Sequence, residues 1–424
     1  MPLRPIAFLI LFIFGCLYGL TNPLISLINY QMVYFANVEN TWWAANLPHL
    51  RWSLIAAGFL AFSCLFNRTS LNDNNVLRHI QTKLLLLFLF YMILISPFAF
   101  QKDLHLEYLN KYWKLVLIYL LIIWAVSNYK SYRYLIWSYL AGVSYFGWLT
   151  YENRHRMHGG RLEGLFIGGP DCVDANMLGA VLITSIPFLI LYLIKGNKVE
   201  KILSFCSLPF ILNGIILINS RGAFVGLGTG ILLLIILAKG IKTKYQLIFG
   251  SLVGIIIFLY LADPRFWERM DTLSDPSVHG AGLRMIYWKA GIKMFLDRPF
   301  GSGGRGFLAL SPYYLSPEYL ASGFGVRAVH NTFIQALVEY GIVGILLFVA
   351  FLFFTIKSLN KIRKGGDPED RYNLEATALM TALSSFLTAA IFINRLYSET
   401  SYWLCAYAMV LCNVVDKDRH KTTE

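Results

Sequence analysis

DANMLGAVLITSIPFLILYLIKGNKVEKILSFCSLPFILNGIILINSRGAFVGLGTGILLLIILAKGIKTK, residues 174–244, is the stretch that decides the fold class. It holds three apolar runs, 174–194, 202–219 and 222–238, each close to the roughly 20 residues a helix needs to cross a bilayer. Lys195, Lys198 and Lys201 separate the first two runs, and Lys239, Lys242 and Lys244 follow the third. The turn between the second and third carries Arg221 and no lysine. Lysine on one side and arginine on the other marks a chain that crosses a membrane back and forth, because short basic loops stay in the cytoplasm.

Further apolar runs lie at 6–29, 50–66, 82–100, 113–127, 132–150, 245–262, 330–356, 374–393 and 399–415, which predicts about twelve transmembrane helices. Composition agrees: 57% of residues are hydrophobic and 14% charged, and the mean hydropathy is +0.55. Soluble domains are nearer half apolar and a quarter charged. The N-terminal run has no convincing small-residue cleavage site and continues past Leu20, so it is predicted as the first span, 6–29, rather than a removed leader. The expectation is a single all-α polytopic transmembrane domain, 1–424, with 263–329 as one large loop containing short helices. Cysteines 16, 64, 172, 206, 405 and 412 are scattered, mostly in or beside apolar runs, and suggest neither a disulfide framework nor a metal cluster. The net charge of +13 comes without a long basic run, which argues against nucleic acid and leaves anionic lipid or a phosphorylated substrate.

With Met1 to Arg4 in the cytoplasm, the even-numbered connections are the basic ones. They carry Arg68, Arg78 and Lys83, then Lys130 and Arg133, the two lysine groups above, and Lys357, Lys361, Arg363, Lys364 and Arg371. The tail adds Lys417, Arg419 and Lys421, so both termini are expected in the cytoplasm. The opposite connections hold few lysines (102, 111, 289 and 293) but eleven arginines: 154, 156, 161, 221, 265, 269, 284, 298, 305, 327 and 395. Arginine on the side that the positive-inside rule disfavours needs a reason. A guanidinium supplies one, since it keeps its charge and grips phosphate with a planar fork of donors.

Three motifs stand on that side. Asn219-Ser220-Arg221-Gly222-Ala223 is too short to be a free loop, so Arg221 sits at the membrane surface; snorkelling at a helix end is the plain alternative. Gly222, Gly226 and Gly230 behind it form a stripe that permits close helix approach. In the long loop, 281–296 is predicted as an amphipathic helix, with Leu283, Ile286, Tyr287, Ala290 and Met294 on one face and Arg284 at its start. The run Arg298-Pro299-Phe300-Gly301-Ser302-Gly303-Gly304-Arg305-Gly306 follows no strand and reads as a turn rather than a dinucleotide loop. Its backbone N–H groups remain a second possibility for phosphate.

The third motif opens the span at 330. His330 there is either an interfacial or capping residue or a base. Neighbouring arginines and the helix N-terminus are expected to lower its pKa from about 6.5 and leave the neutral imidazole a base requires. Gln335 and Glu339, four residues apart, share a face as either a satisfied buried pair or mechanistic groups. The region 151–173 carries Arg154, His155, Arg156, His158, Arg161, Glu163 and Asp171, with Asp174 just beyond. Metal binding by His155 and His158 lacks a second ligand motif, and a basic lip for an anionic substrate suits these residues better.

S-R-G-A at 220–223, R-x-x-x-W at 284–288, R-P-x-G-x-G at 298–303 and H-N-x-x-x-Q-x-x-x-E-x-G at 330–341 together resemble the O-antigen ligase and polymerase superfamily. The likeness spans about 170 to 345. It implies a GT-C type glycosyltransferase that moves a glycan from undecaprenyl pyrophosphate to a sugar hydroxyl of lipid A–core. The reaction would take place at the periplasmic face of a bacterial inner membrane, with inversion and without metal or cofactor. Membrane lipids, the lipid-linked donor and the acceptor would be the partners. On this resemblance Arg221 and Arg284 hold the pyrophosphate and His330 is the general base. Arg161, Arg305, Arg327, Arg395, Asn331, Tyr287 and Trp288 are then candidate substrate-binding residues. A polymerase would use another lipid-linked repeat as acceptor, and a protein O-oligosaccharyltransferase a protein hydroxyl. Protein-directed members usually carry a longer C-terminal region than Asp416 to Glu424. An anion or lipid transporter would also cluster arginines, but calls for internal repeats or broken helices in matching halves, which the sequence does not show.

Overall fold

Proline at position 23 divides the first apolar run. It lacks an N–H and has a fixed φ, so it starts a helix more readily than it continues one. Asn22 caps the new helix by accepting from the Leu24 N–H at 3.1 Å. In the computed structural model, which describes residues 3–71, 74–158, 160–162, 169, 172, 174–261, 267, 281–321, 327–365 and 370–423, the predicted span 6–29 is therefore two helices. These are α1 (Leu3–Gly19) and α2 (Pro23–Ala36). Then come α3 (Trp52–Phe66), α4 (Ile80–Ile95), α5 (Lys102–Ala125), α6 (Tyr129–Glu152), α7 (Ala175–Lys195), α8 (Lys198–Ile218), α9 (Arg221–Leu237) and α10 (Ile241–Leu261). Among its described residues the large loop contributes the short helices α11 (Ala281–Asp297), α12 (Gly306–Tyr314) and α13 (Pro317–Ala321). The last long helices are α14 (Thr332–Gly365), α15 (Arg371–Ala390) and α16 (Glu399–Thr423). A two-residue strand pair, Met157–His158 with Arg161–Leu162, is the one exception to all-α among the described residues.

Contacts define two faces. On the lysine face Arg133 of α6 pairs with Glu200 and Glu375, Tyr192 donates to Glu375 at 2.7 Å, and Lys417 reaches Asn74 at 2.7 Å. The α1–α2 turn lies on this face too, since Asn67 donates to the Leu20 carbonyl at 2.9 Å. The start of α1 is at the other end, where Arg4 pairs with Glu152 at 2.8 Å and lies 5.4 Å from the Trp148 ring. This corrects the expected topology. The first predicted span is a pair of helices, and the two termini lie on opposite faces rather than sharing one.

Among the described residues five helices are long and apolar enough to cross a membrane: α4 extended to Phe98, α7, α8, α10 and α14. The apolar helices α1, α3 and α9 are shorter. α16 is more polar because protein surrounds it; residues 402–411 are each at most 1% exposed. Its hydroxyls find partners inside the bundle, Tyr402 on the Leu396 carbonyl at 2.7 Å and Tyr407 with Gln31. A helix whose polar groups are satisfied by its neighbours does not need an apolar surface.

The glycine stripe on α9 packs on α15. A Cβ on Gly226 would stand 2.6 Å from the Ser385 carbonyl oxygen, and one on Gly230 2.1 Å from Ser385 Oγ. Gly226→Val should force the two helices apart and destabilise the bundle by about 1–3 kcal/mol. Thermal unfolding in detergent would read this as a lowered midpoint, and an unchanged midpoint would show that the stripe does not set the spacing.

Candidate active site

Three of the helices that begin on the face opposite the lysines carry a polar cap and lie together. Asp174 accepts from the Met177 N–H at 2.9 Å to open α7, and Ser220 from the Ala223 N–H at 3.4 Å to open α9. Asn331 accepts from Phe333 and Ile334 at 2.9 and 3.1 Å to open α14. The first two starts are tied through Asn176, whose Oδ1 accepts from Ser220 Oγ at 2.9 Å and Arg161 Nη2 at 3.3 Å. Asn219, in the left-handed conformation at φ 47°, ends α8 and donates to the Gly160 carbonyl at 3.2 Å. Each helix start carries roughly half a positive charge and unpaired N–H groups, which suits an anion.

Arginines add full charges. Arg221 is the first residue of α9, and Arg284 stands in the first turn of α11 with its guanidinium 5.9 Å from the Phe392 ring. The helix predicted at 281–296 forms as α11, and its apolar face packs Tyr287, Ala290 and Met294 against Phe307 and Val338. Burial, then the charges of Arg221 and Arg161, press the Arg284 guanidinium below its ordinary range, with Asp174 opposing. A guanidinium stays protonated regardless, so the repulsion is a standing cost that an anionic ligand would relieve.

His330 precedes α14 at φ 51°, a left-handed conformation uncommon for a side-chain-bearing residue. Its neighbours hold it there: Trp288 Nε1 donates to the Val329 carbonyl at 3.1 Å, and the Asn331 N–H donates to Asn394 at 3.1 Å. Burial comes first among the causes that lower the imidazole's pKa, then Arg284, with Arg327 adding and Asp174 opposing. The expectation from sequence named the arginines but not the burial.

The structure thus brings together Arg161, Arg221, Arg284, Arg327 and His330, and gives Asp174, noted beside the basic region, the role of a cap that faces Arg284 and His330. A short polar residue directly before an apolar run was the available signal for that cap. Other candidates sit elsewhere or do other work. Arg305 lies on the glycine run beside Glu107 and Glu339. Tyr287 is 3% exposed, in the small core under α11. Trp288 and Asn331 use their polar atoms on Val329 and on the α14 cap. Arg395 is 3% exposed, with its guanidinium 5.7 Å from the Phe386 ring and its N–H on Thr332 Oγ1 at 2.8 Å. His155 is exposed, while Glu163, Asp171, Arg265, Arg269 and the His158 side chain lie outside the described residues.

The glycine run has a different task from the phosphate cradle considered above. The N–H groups of Ser302, Gly303 and Gly304 donate to Val338 O, Glu339 O and His105 Nδ1 at 3.0, 2.9 and 2.9 Å. They are spent on protein. What they repair is a break in α14 at Gly341, where φ is 62° and a Cβ would lie 2.2 Å from the Pro299 carbonyl oxygen. Only glycine accepts that geometry without strain, and the freed Ile342 N–H donates to Pro299 O at 2.9 Å.

No curated protein matches the chain. Residues 206–349, which include Arg221, Arg284 and His330, match the O-antigen ligase family, a match that supports membership of the O-antigen ligase superfamily and a glycan-transferring membrane enzyme of the ligase or polymerase type.

Proposed function

We propose that this protein is an O-antigen ligase, which takes a glycan from undecaprenyl pyrophosphate and joins it to a sugar hydroxyl of lipid A–core at the periplasmic face of the bacterial inner membrane. The observation that carries this reading is the grouping of Arg161, Arg221 and Arg284 with His330 around three helix starts. His330 takes the proton of the acceptor hydroxyl, and the oxygen attacks the anomeric carbon. The bond from that carbon to the pyrophosphate oxygen breaks with both electrons going to oxygen. Arg221, Arg284 and the helix dipoles meet the charge that develops there. A leaving group neutralised in this way needs neither a strong acid nor a metal, and direct displacement inverts the anomeric centre. We place the whole chain in one transmembrane domain of GT-C type, whose 263–329 loop brings Arg284 to the site.

Lipopolysaccharide gels from a host lacking the protein separate the readings. A ligase defect leaves bare core, whereas a polymerase defect leaves core bearing a single repeat. An intact ladder points to a protein acceptor or to a transporter, and overturns the proposal.

The base must be neutral, so transfer should fall as pH drops through the pKa of His330, which burial and Arg284 hold below the usual range. Asp174 opposes that shift. Asp174→Asn keeps a good cap but removes the charge, so the acid limb of kcat/KM should move to lower pH. A limb that stays in place or moves up would show that this carboxylate does not act on the base.

A further inference from the structure

Glu339 is 2% exposed and lies on α14 two residues before the break at Gly341, away from the arginine cluster. Its carboxylate accepts from Gln335 Nε2 at 3.2 Å, from the Tyr397 hydroxyl at 2.6 Å and from the Arg305 backbone N–H. Its own carbonyl accepts from Gly303. Two chain segments therefore meet on one residue. The first is the glycine run, which leaves the end of α11 after Asp297 and is clamped further by Tyr91 on Phe300 O at 2.6 Å and by Phe100 N–H on Ser302 O at 2.9 Å. The second is the stretch 393–397. Within it Asn394 accepts from the Asn331 N–H at 3.1 Å, Ile393 O accepts from Thr332 Oγ1 at 2.7 Å, and Tyr397 hydrogen-bonds Tyr340. One segment ends on the helix that carries Arg284, and the other supports the turn that carries His330.

We propose that Glu339 is a positioning residue whose buried carboxylate joins these two segments and thereby sets Arg284 and His330 in one geometry. This rests on the transferase reading for its kinetic consequence but not for its structural one. The carboxylate has three donors aimed at it and is 2% exposed. Removing it leaves those donors unpaired, which is the costly way to lose a hydrogen bond. The loop and the 393–397 stretch are then free to part, and displacement of reacting groups by about 1 Å can cost on the order of 10²-fold in rate.

The test compares Glu339→Leu with Glu339→Gln in the full chain, purified in detergent. The amide can still accept from Gln335 and the Arg305 N–H, and the Tyr397 hydroxyl can reverse to accept from it. Hydrogen exchange across 281–297 should speed up at least about tenfold in the leucine variant and stay near wild type in the glutamine variant. Transfer by the leucine variant should lose on the order of 10²-fold in kcat, with little change in KM for the lipid-diphosphate donor. Its acid limb should also rise toward the ordinary histidine value, because the charged groups facing His330 are Arg284, Arg327 and Asp174 and the first of these has moved. The glutamine variant should recover both rate and limb. Tyr397→Phe, which removes one donor only, gives the same direction at smaller size if the leucine variant fails to fold. Wild-type exchange in 281–297 with a wild-type limb overturns the proposal. So does a glutamine variant that is inactive with native exchange, since the carboxylate would then be moving a proton itself. Exchange needs no substrate: loosening of 281–297 in a chain that transfers no glycan keeps the junction and rejects the transferase.

Discussion

Replacing His330 with alanine is expected to lower glycan transfer by about 10²–10⁴-fold, the usual contribution of a positioned base, while leaving the helix bundle inserted and folded. The residue stands outside α14, half-buried, and its hydrogen-bonded neighbours are Val329 and Asn331 rather than helix-core groups. Its loss removes no core contact on which the long helices depend. Alanine at φ 51° inherits the same left-handed backbone, a conformation that costs roughly 1–2 kcal/mol. His330→Gly relieves that strain and still lacks the imidazole. If both variants are inactive and both insert, the missing base explains the loss; if glycine restores the rate, the backbone does. The measurements are transfer by purified protein and the lipopolysaccharide ladder of a complemented host. A wild-type ladder from His330→Ala would remove His330 from the mechanism.

The second large effect concerns the guanidinium forks. Arg221→Lys and Arg284→Lys should each cost about 10²–10³-fold in transfer, comparable to removing one donor from the developing charge of a transition state. Lysine keeps the charge but offers a point rather than a fork. Arg284 is the sharper case, because it feels the charge of Arg221 and itself acts on His330. Arg284→Lys should leave the acid limb close to wild type, since a cation still faces the imidazole. Arg284→Gln should raise the limb as well as lower the rate. A lysine variant with unchanged transfer would reduce these arginines to helix-end residues that snorkel. A glutamine variant with an unmoved limb would separate Arg284 from His330.

Some of this was readable before any fold. The apolar runs from 50 onward each match a long helix, because insertion responds to the summed hydropathy of a short stretch. The periodicity at 281–296 marked the buried face of α11 for the same reason, since one helix face is a local property. Position 22–23 shows how such a sum misleads. Leu24, Ile25, Leu27 and Ile28 follow Pro23 closely enough to hide the turn in an average, although an Asn-Pro pair was itself a warning. α16 was found as the run at 399–415, but its place in the bundle was not readable. Its tyrosines lower its hydropathy, yet it is among the most buried helices, and only its neighbours supply the partners that make this possible.

Sequence by itself determined that the chain is a membrane bundle with lysines on one face, and that Arg221, Arg284 and His330 merit attention on the other. Tertiary structure decided that Arg161 and Asp174 join them while Arg305 does not, that the first run is a hairpin, and that the glycine run mends α14. The difference is one of range. Hydropathy and charge act on each stretch where it stands, so a linear reading recovers them. Whether Gly303 N–H meets phosphate or Glu339 depends on bringing together segments far apart in the chain, and only the packed bundle sets that distance.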